Sequence, residues 1–299
     1  MTVTRRGFLS GMGATLGSLA VPGAWAQDIA DPQASQFGFG WEPDGLIEEE
    51  RLDLPFRANL PSKLLLKNLP DVYNQGKLNS CVANAVGAGV QVARLVNKHT
   101  PDFVPSRHFV YYYARKATGT EAFDRGSRIS NAIKVVRTLG VCPETVWPYD
   151  NIPGSGPDRR FPPGARGGIE PDAAARQAAS PHVVIEWAPI TVSAKNVRSA
   201  LAFGFPVIFG FQVYTNMFGK SGPVDTLRLP TSGDQKISGH AVAIVGYDDD
   251  TRMFRIRNSW GDTVHQRGYY DMAYDYVLNT DYSFDFWTIT DTAGMTDAN

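Results

Sequence analysis

The chain contains only two cysteines among its 299 residues, Cys81 and Cys142. A fold held by several disulfides is therefore excluded, because at most one cross-link can form. The sequence also lacks a charge imbalance, with 29 basic residues against 30 acidic residues and a net charge of -1. This balance provides no electrostatic basis for binding nucleic acid or an anionic membrane surface. We therefore expect neither partner.

Long apolar runs are also missing. The apolar stretch at 12–21 is broken by glycines and is shorter than the roughly 18 residues that indicate a transmembrane helix. It follows Arg5-Arg6 and precedes the small-x-small pattern at 24–26, which is typical of a cleaved export signal. Residues 1–26 resemble a twin-arginine signal, with an ordinary secretory signal as the alternative. We therefore expect a periplasmic or secreted protein with no stable membrane span after signal removal.

Export leaves two interpretations of the cysteines. In an oxidising compartment two cysteines pair by default, which favours a Cys81–Cys142 disulfide. The twin-arginine route, as generally understood, carries proteins that have folded in the cytosol, where disulfides rarely persist. A free, buried Cys142 is the interpretation that fits this route.

Hydrophobic periodicity predicts a helical first part and a β-rich second part. Apolar residues recur at spacings of three and four between Cys81 and Asn97, as on one face of a helix. Further helices are predicted at 106–115, 130–139 and 197–203, and strands at 183–187, 206–213, 241–247, 254–258, 268–272 and 284–289. We divide the chain into an extended arm (27–60), a helical lobe (about 61–150), a Pro/Gly-rich crossing (151–181), a β-rich lobe (182–290) and a tail (291–299). The predicted fold class is α+β, with a mostly antiparallel sheet.

Cys81 carries the strongest chemical signal, because it lies where a loop is predicted to become a helix. Ser80 is a good candidate for the N-cap of that helix. Unpaired backbone N–H groups and the positive end of the helix dipole favour the thiolate, which is the reactive form of cysteine. The sequence therefore predicts a reactive thiol at position 81.

A predicted hairpin brings an imidazole and an amide together. Two apolar runs at 241–247 and 253–258 are joined by a short acidic turn, a pattern typical of a β-hairpin. Folding it about Asp249 places His240 opposite Asn258, and directly opposed residues have Cβ atoms about 4.5–5.5 Å apart. The amide could then accept the imidazole N–H and fix its tautomer.

Metal ligands are sparse in the sequence. The triple aspartate at 248–250 lacks the glycine and distal glutamate of an EF-hand loop, which favours a solvated turn. No close pair of cysteines or histidines suits zinc, so we expect no metal and no cofactor. The remaining histidines are expected to be structural; they are His99, His108, His182 and His265.

Three motifs occur in order: Gln75-Gly76 followed by Cys81, then Gly239-His240-Ala241-Val242, then Asn258-Ser259-Trp260-Gly261. Together they resemble the papain family of cysteine peptidases over roughly residues 60–290. The resemblance implies a two-lobe α+β fold, in which a helical lobe and an antiparallel β-barrel-like lobe flank the active-site cleft. It also implies an endopeptidase that hydrolyses peptide or protein substrates. Separately, we expect the protein to be a monomer.

The resemblance assigns a role to each matching residue. Cys81 would be the nucleophile, His240 the general base and then acid, and Asn258 the residue that orients His240. Gln75 would form the oxyanion hole with the Cys81 backbone N–H. Three further residues would contact substrate or shield the site: Gly126 pairing with substrate backbone, Ala241 beside the pocket for the residue two before the cut, and Trp260 over the Asn–His contact.

The chain also departs from the family. Leu78 and Val82 stand where the family has a cysteine and an aromatic residue, and Asp262–His265 replaces a stretch that is often rich in glycine and tryptophan. The arm at 27–60 is too short for the usual helical propeptide, so either no inhibited precursor exists or the arm itself occupies the cleft. Two rival functions stay open: an inactive papain-like module that binds peptides or a partner, and a thiol-dependent amidase or transpeptidase.

Overall fold

A computed structural model describes residues 32–44, 51, 59–293 and 295–296. The predicted export signal at 1–26 lies outside the described residues, as does much of the arm. Within them the helices are α1 (Cys81–Val96), α2 (Arg107–Lys116), α3 (Ile129–Thr138), α4 (Ala173–Ala179), α5 (Ala194–Ala202) and α6 (Tyr274–Val277). No helix in this part of the chain is both long and apolar enough to cross a membrane.

The strands of the described residues are mostly in the second half. They are β1 (Trp41–Glu42), β2 (Lys63–Leu65), β3 (His99–Thr100), β4 (Ser127–Arg128), β5 (Val184–Pro189), β6 (Val207–Tyr214), β7 (Phe218–Gly219), β8 (Gly222–Pro223), β9 (Thr226–Leu227), β10 (Lys236–Asp248), β11 (Met253–Arg257), β12 (Tyr269–Ala273), β13 (Ser283–Thr292) and β14 (Met295–Thr296).

Helix α1 lies at the centre of the molecule. Its residues from Cys81 to Arg94 are buried, and it contacts α2 and α3 on one side and β10 and β13 on the other. Alanine, glycine and valine dominate its sequence, because neighbouring elements approach from several sides. A Cβ built at Gly89 would lie 2.8 Å from Cδ1 of Ile208 on β6. The small residue at Gly89 thus permits the middle of α1 to pack closely against the sheet.

The main sheet has eight strands, in the order β5-β13-β6-β10-β11-β12-β9, with β2 paired beside β10. Every pair is antiparallel except β12 with β9. Three helices on one side and this sheet on the other give the predicted α+β class. Long β10 runs through the middle of the sheet, and His240 on it pairs with Phe211 of β6.

Three segments differ from the prediction. The crossing at 151–181 contains a helix, α4, whose N-cap Asp172 accepts the backbone N–H of Ala175. Strand β2 comes from the first part of the chain but joins the main sheet. At the other end, β13 continues to Thr292 and β14 pairs with β3. Strands β2 and β14 form because they pair with strands that are distant in the sequence, and local composition does not reveal such pairing.

Candidate active site

Cys81 begins α1 and is fully buried. Its Sγ accepts a hydrogen bond from the backbone N–H of Ala241 at 3.4 Å, so it lies beside the residue next to His240. The preceding loop is fixed by buried Asp124, which accepts the Asn79 backbone N–H at 2.9 Å. The Asn79 side chain donates to the Asp124 carbonyl at 2.8 Å. A second chain segment therefore sets the position of the thiol.

Ser80 occupies the N-cap position, but its side chain does not cap α1. Its Oγ is 2.7 Å from the Tyr149 hydroxyl and accepts from the Asn84 side chain at 3.1 Å. The predicted N-cap position is confirmed, but the side chain makes no capping bond, because a half-buried tyrosine and a buried asparagine compete for the hydroxyl. Ser80 instead connects the loop before Cys81 to the segment after α3.

Burial raises the pKa of the Cys81 thiol to about 12, although backbone N–H groups of Ala241, Val82, Cys81 and Trp41 oppose this shift. The expectation of a thiolate favoured by the helix end is thus wrong for this state of the protein. The cost of ionising a sulfur cut off from water exceeds the contribution of the helix terminus, which falls off within one turn. Cys81 is therefore a neutral thiol here.

His240 and Asn258 form the predicted contact, with Nε2 of His240 2.8 Å from Oδ1 of Asn258. The predicted register is wrong by two residues. The last pair of the β10–β11 ladder is Ala243 with Arg257, and continuing it sets Asn258 opposite Val242. A shift of two keeps both side chains on the same face of the sheet, so the diagonal contact forms.

The protonation of His240 follows from its surroundings. The Asn258 Oδ1 atom accepts both His240 Nε2–H and the Ser259 backbone N–H, the latter at 2.8 Å. Among the described residues, Nδ1 of His240 has no hydrogen-bond partner. Burial lowers the pKa of His240 to about 4, against the opposing effect of the Asn258 hydrogen bond. The neutral ring thus keeps an unoccupied acceptor nitrogen.

His265 is a member of this group that the sequence analysis assigned to a merely structural role. Its Nε2 lies 3.1 Å from Nδ2 of Asn258, and its Nδ1 lies 2.9 Å from the Val224 carbonyl oxygen. The Asn258 amide is therefore bound at both ends. No periodicity links His265 to Asn258. The signal in the sequence is that His265 lies in the stretch after Trp260 that departs from the family pattern.

The Gln75 side chain is buried with its amide aimed at carbonyl groups. Its Oε1 accepts the Ser259 hydroxyl at 2.6 Å, which leaves Nε2 as the donor side. Nε2 donates to the carbonyl oxygens of Leu78 at 2.8 Å and Gly38 at 3.0 Å. Gln75 can thus donate to a carbonyl at this point, and a residue of the N-terminal arm now fills that position.

The described part of the arm, at 32–44, lies against these residues. The Gly38 N–H donates to the Gly76 carbonyl at 2.9 Å, and the Phe39 N–H donates to Oδ1 of Asn79 at 3.1 Å. The Phe39 ring meets His240 edge-on, with centroids 5.6 Å apart. The described part of the arm thus lies over the candidate site residues, as the second of the two alternatives expects.

The residues expected to contact substrate also face the arm. The Gly40 N–H donates to the Gly239 carbonyl at 3.1 Å, and its carbonyl accepts from Ser127 N–H at 2.8 Å. A Cβ built at Gly126, where φ is +88°, would lie 2.0 Å from the Gly40 carbonyl oxygen. The expected backbone pairing is thus made to the arm by Ser127, while Gly126 permits the close approach.

Trp260 and Ala241 flank the same cleft. The Trp260 indole lies nearly parallel to the His240 ring, with centroids 5.0 Å apart, and its Nε1 donates to the Gly38 carbonyl at 3.3 Å. Ala241 is buried opposite Gly210 in the β6–β10 pair. The Trp41 ring of the arm rests on Gly210, where any Cβ would overlap it.

A pair of buried carboxylates anchors the far end of this arm. Oδ2 of Asp285 accepts the Trp41 indole N–H at 3.1 Å and the Asp44 backbone N–H at 2.9 Å. The Asp44 carboxylate accepts the Ser130 hydroxyl at 2.5 Å and its backbone N–H. Burial and the neighbouring Asp44 raise the pKa of Asp285 to about 7, and burial raises the pKa of Asp44.

The two cysteines are both free and buried, so the disulfide interpretation is wrong. Burial raises the pKa of the Cys142 thiol to about 12.

The acidic turn is closed by Oδ1 of Asp248, which accepts the backbone N–H groups of Asp250 and Thr251. In the described part of the chain no three acidic, histidine or cysteine residues gather as a metal site would require.

Comparisons with known proteins agree on one family. The profile of the papain family cysteine proteases matches residues 66–283. Xylellain, a cysteine protease from Xylella fastidiosa, is 39% identical, with a TM-score of 0.80 over 86% of this chain and 97% of that chain. An uncharacterised peptidase C1-like protein of Acanthamoeba polyphaga mimivirus is 31% identical over 72% of this chain and 68% of its own length.

A more distant structure shares the fold alone. Procathepsin B from Trypanosoma congolense is 13% identical, with a TM-score of 0.67 over 87% of each chain. The profile match spans most of the chain, including the positions of Cys81, His240 and Asn258. The chain therefore belongs to the papain family of cysteine proteases and is a cysteine peptidase.

Proposed function

We propose that the chain is an endopeptidase that cleaves peptide bonds through Cys81, His240 and Asn258, and that its N-terminal arm keeps it latent. The observation that carries the proposal is the 2.8 Å bond from His240 to Asn258, in a strand whose next residue donates to the Cys81 sulfur. These contacts supply a thiol, an acceptor nitrogen and a fixed tautomer in one buried cluster.

Acylation would begin with transfer of the Cys81 proton to Nδ1 of His240. The sulfur attacks the substrate carbonyl carbon, and the resulting oxyanion is stabilised by Nε2 of Gln75 and the Cys81 backbone N–H. His240 then donates its proton to the leaving amine, and the C–N bond breaks to leave a thioester. In the second half, His240 takes a proton from water, whose oxygen attacks the thioester carbonyl carbon. The C–S bond then breaks to release the acid product, and His240 returns the proton to the Cys81 sulfur.

Substrate and arm would compete for the same groups. Gly38 uses the Gln75 amide, and Gly40 occupies the backbone positions at Gly239 and Ser127. Trp41 covers Gly210, the residue paired with Ala241. With the arm bound, the buried thiol and imidazole are both neutral. Departure of the arm would admit water, lower the cost of ionisation and permit the Cys81 thiolate to form beside a protonated His240.

We also propose that Gly126, Ala241 and Trp260 border the substrate cleft and that the protein is exported through its twin-arginine-type signal. A tight bond between Asn258 and His240 favours a working enzyme over an inactive binding module. An amidase or transpeptidase would use the same thioester, with a different substrate or an amine acceptor replacing water.

The test uses the full chain carrying Gly40→Val to release the arm, since a Cβ at Gly40 would lie 2.3 Å from the Asn79 carbonyl oxygen. In this background Cys81→Ala should abolish hydrolysis of a protein substrate, and Cys142→Ala should leave it within about threefold. Unchanged hydrolysis after Cys81→Ala would overturn the assignment. Product analysis with a free amine present separates hydrolysis from transpeptidation.

A further inference from the structure

We propose that His265 is a positioning residue of the peptidase, whose Nε2 atom fixes the orientation of the Asn258 amide and, through it, the tautomer of His240. The proposal rests on the roles proposed above for Asn258 and His240. It concerns a residue from the loop between β11 and β12, where the sequence departs from its family.

The proton on His265 is placed by its neighbour. A carbonyl oxygen only accepts hydrogen bonds, so Nδ1 of His265, 2.9 Å from the Val224 carbonyl, carries the proton. Burial lowers the pKa of His265 to about 4, while nearby Asp225 acts in the opposite direction. The ring is therefore neutral near pH 7, and its Nε2 can only accept.

An acceptor at this place selects one orientation of the Asn258 side chain. The amide must turn Nδ2–H toward His265, at 3.1 Å, and Oδ1 toward His240 and the Ser259 N–H. A flipped amide would set its oxygen against the Nε2 lone pair of His265 and its NH₂ group against two donors. His240 must then keep its proton on Nε2, which leaves Nδ1 bare for the thiol proton.

Packing holds the His265 ring in the required place. It lies nearly parallel to the Trp260 indole, at a centroid distance of 5.7 Å and 15°, and against the Tyr270 ring at 4.7 Å. Its backbone has a φ of +54°, a conformation that histidine tolerates better than most residues. Both imidazoles that bind Asn258 therefore rest along one tryptophan.

The first test reads the protons directly in the unmodified full chain. The sequence has five histidines, so long-range ¹H–¹⁵N spectra resolve their tautomers, with assignment by His265→Gln and His240→Gln. At pH 7 we expect Nδ1–H on His265 and Nε2–H on His240. A proton on Nε2 of His265 would overturn the proposal, whether or not the protein cleaves any peptide.

The second test compares His265→Gln with His265→Met in the Gly40→Val chain. These side chains are similar in size and bear the same backbone penalty, but only glutamine offers an acceptor oxygen. We expect kcat of the methionine variant to be at least about tenfold below that of the glutamine variant, with KM within about twofold. In the methionine variant the His240 spectrum should show the Nδ1–H tautomer as a new population.

The outcomes separate this proposal from the proposed function. Equal kcat values for the two variants, in an active Gly40→Val parent, would refute the role of His265 alone. A parent that is folded but neither cleaves peptides nor reacts at Cys81 would refute the proposed function. If both variants melt at a lower temperature than the parent, their kcat values do not test the proposal. The histidine tautomers of the unmodified chain then confirm or overturn it.

Discussion

Replacing Gly40 with valine should release the arm from the cleft. Gly40 has a φ of +114°, and a Cβ there would lie 2.3 Å from the Asn79 carbonyl oxygen and 2.6 Å from the Asn79 Cβ. Neither neighbour is the end of a flexible side chain, so the overlap persists while the arm is bound. In the released arm the valine takes an ordinary backbone conformation and the overlap disappears.

The size of the effect follows from these two penalties. A non-glycine residue in a sparsely populated backbone region costs about 1–3 kcal/mol, and overlap with fixed atoms adds about 1–3 kcal/mol. Docking should therefore weaken by roughly 3 kcal/mol, which is about a hundredfold in the fraction of open chain. A loss of this size is measurable because the natural arm binds tightly. Buried Phe39 and Trp41 each contribute about 1.5–3 kcal/mol to its binding.

The assay is the second-order rate of alkylation of Cys81 by iodoacetamide, located by peptide mapping so that Cys142 is counted separately. Gly40→Val should raise the rate at Cys81 about a hundredfold and leave Cys142 slow. Gly233→Val is the matched control, since Gly233 is exposed and a Cβ there meets only Thr231 Oγ1 at 3.9 Å. Equal rates at Cys81 in the natural chain and in Gly40→Val would refute the arm as the cause of latency.

Two further predictions concern charge. The pKa of Asp285 is raised while the arm is bound, so binding of the arm is strongest below about pH 4 and weakens as pH rises toward about 7. Arg51 near Asp285 and Arg128 near Asp44 moderate the effect. The rate of Cys81 alkylation in Gly40→Val, divided by the rate in the natural chain, should fall as pH rises from about 4 to about 7. Asp285→Asn should make this ratio nearly independent of pH. A ratio that rises with pH would contradict the predicted direction. Asp124 accepts hydrogen bonds from Asn79, Tyr111 and Arg159. Asp124→Asn should therefore lower the free energy of unfolding by about 1–3 kcal/mol in a denaturant titration and reduce kcat/KM for peptide hydrolysis in the Gly40→Val chain. An unchanged kcat/KM would show that the loop before Cys81 keeps its conformation without the Asp124 carboxylate.

The core of the site could be predicted because its side chains are fixed by short, ordered motifs. The contact between His240 and Asn258 was predicted correctly although the predicted strand register was wrong by two residues. The β10–β11 ladder contains an irregularity between Ile244 and Gly246, where β2 also pairs. Without that irregularity Asn258 would face the wrong side of the sheet, and nothing in the hairpin sequence reveals a bulge of this kind.

Properties that depend on a distant segment could not be predicted. The helix start favours a Cys81 thiolate, but burial of the sulfur reverses the preference. Gly38 and Gly40 look like ordinary loop glycines until the opposing atoms of Leu78 and Asn79 are known. His265 reaches Asn258 through a loop with no periodic pattern. In each case the deciding contact is tertiary.

The central claim is that Cys81 attacks the substrate carbonyl and forms a thioester. The most direct measurement is rapid acid quench of the Gly40→Val chain during turnover of a peptidyl ester, followed by mass spectrometry of its peptides. We predict an added mass equal to the acyl group of the substrate on the peptide that contains Cys81, absent after Cys81→Ala. Turnover without an acyl group on that peptide, or with one on Cys142, would contradict the account.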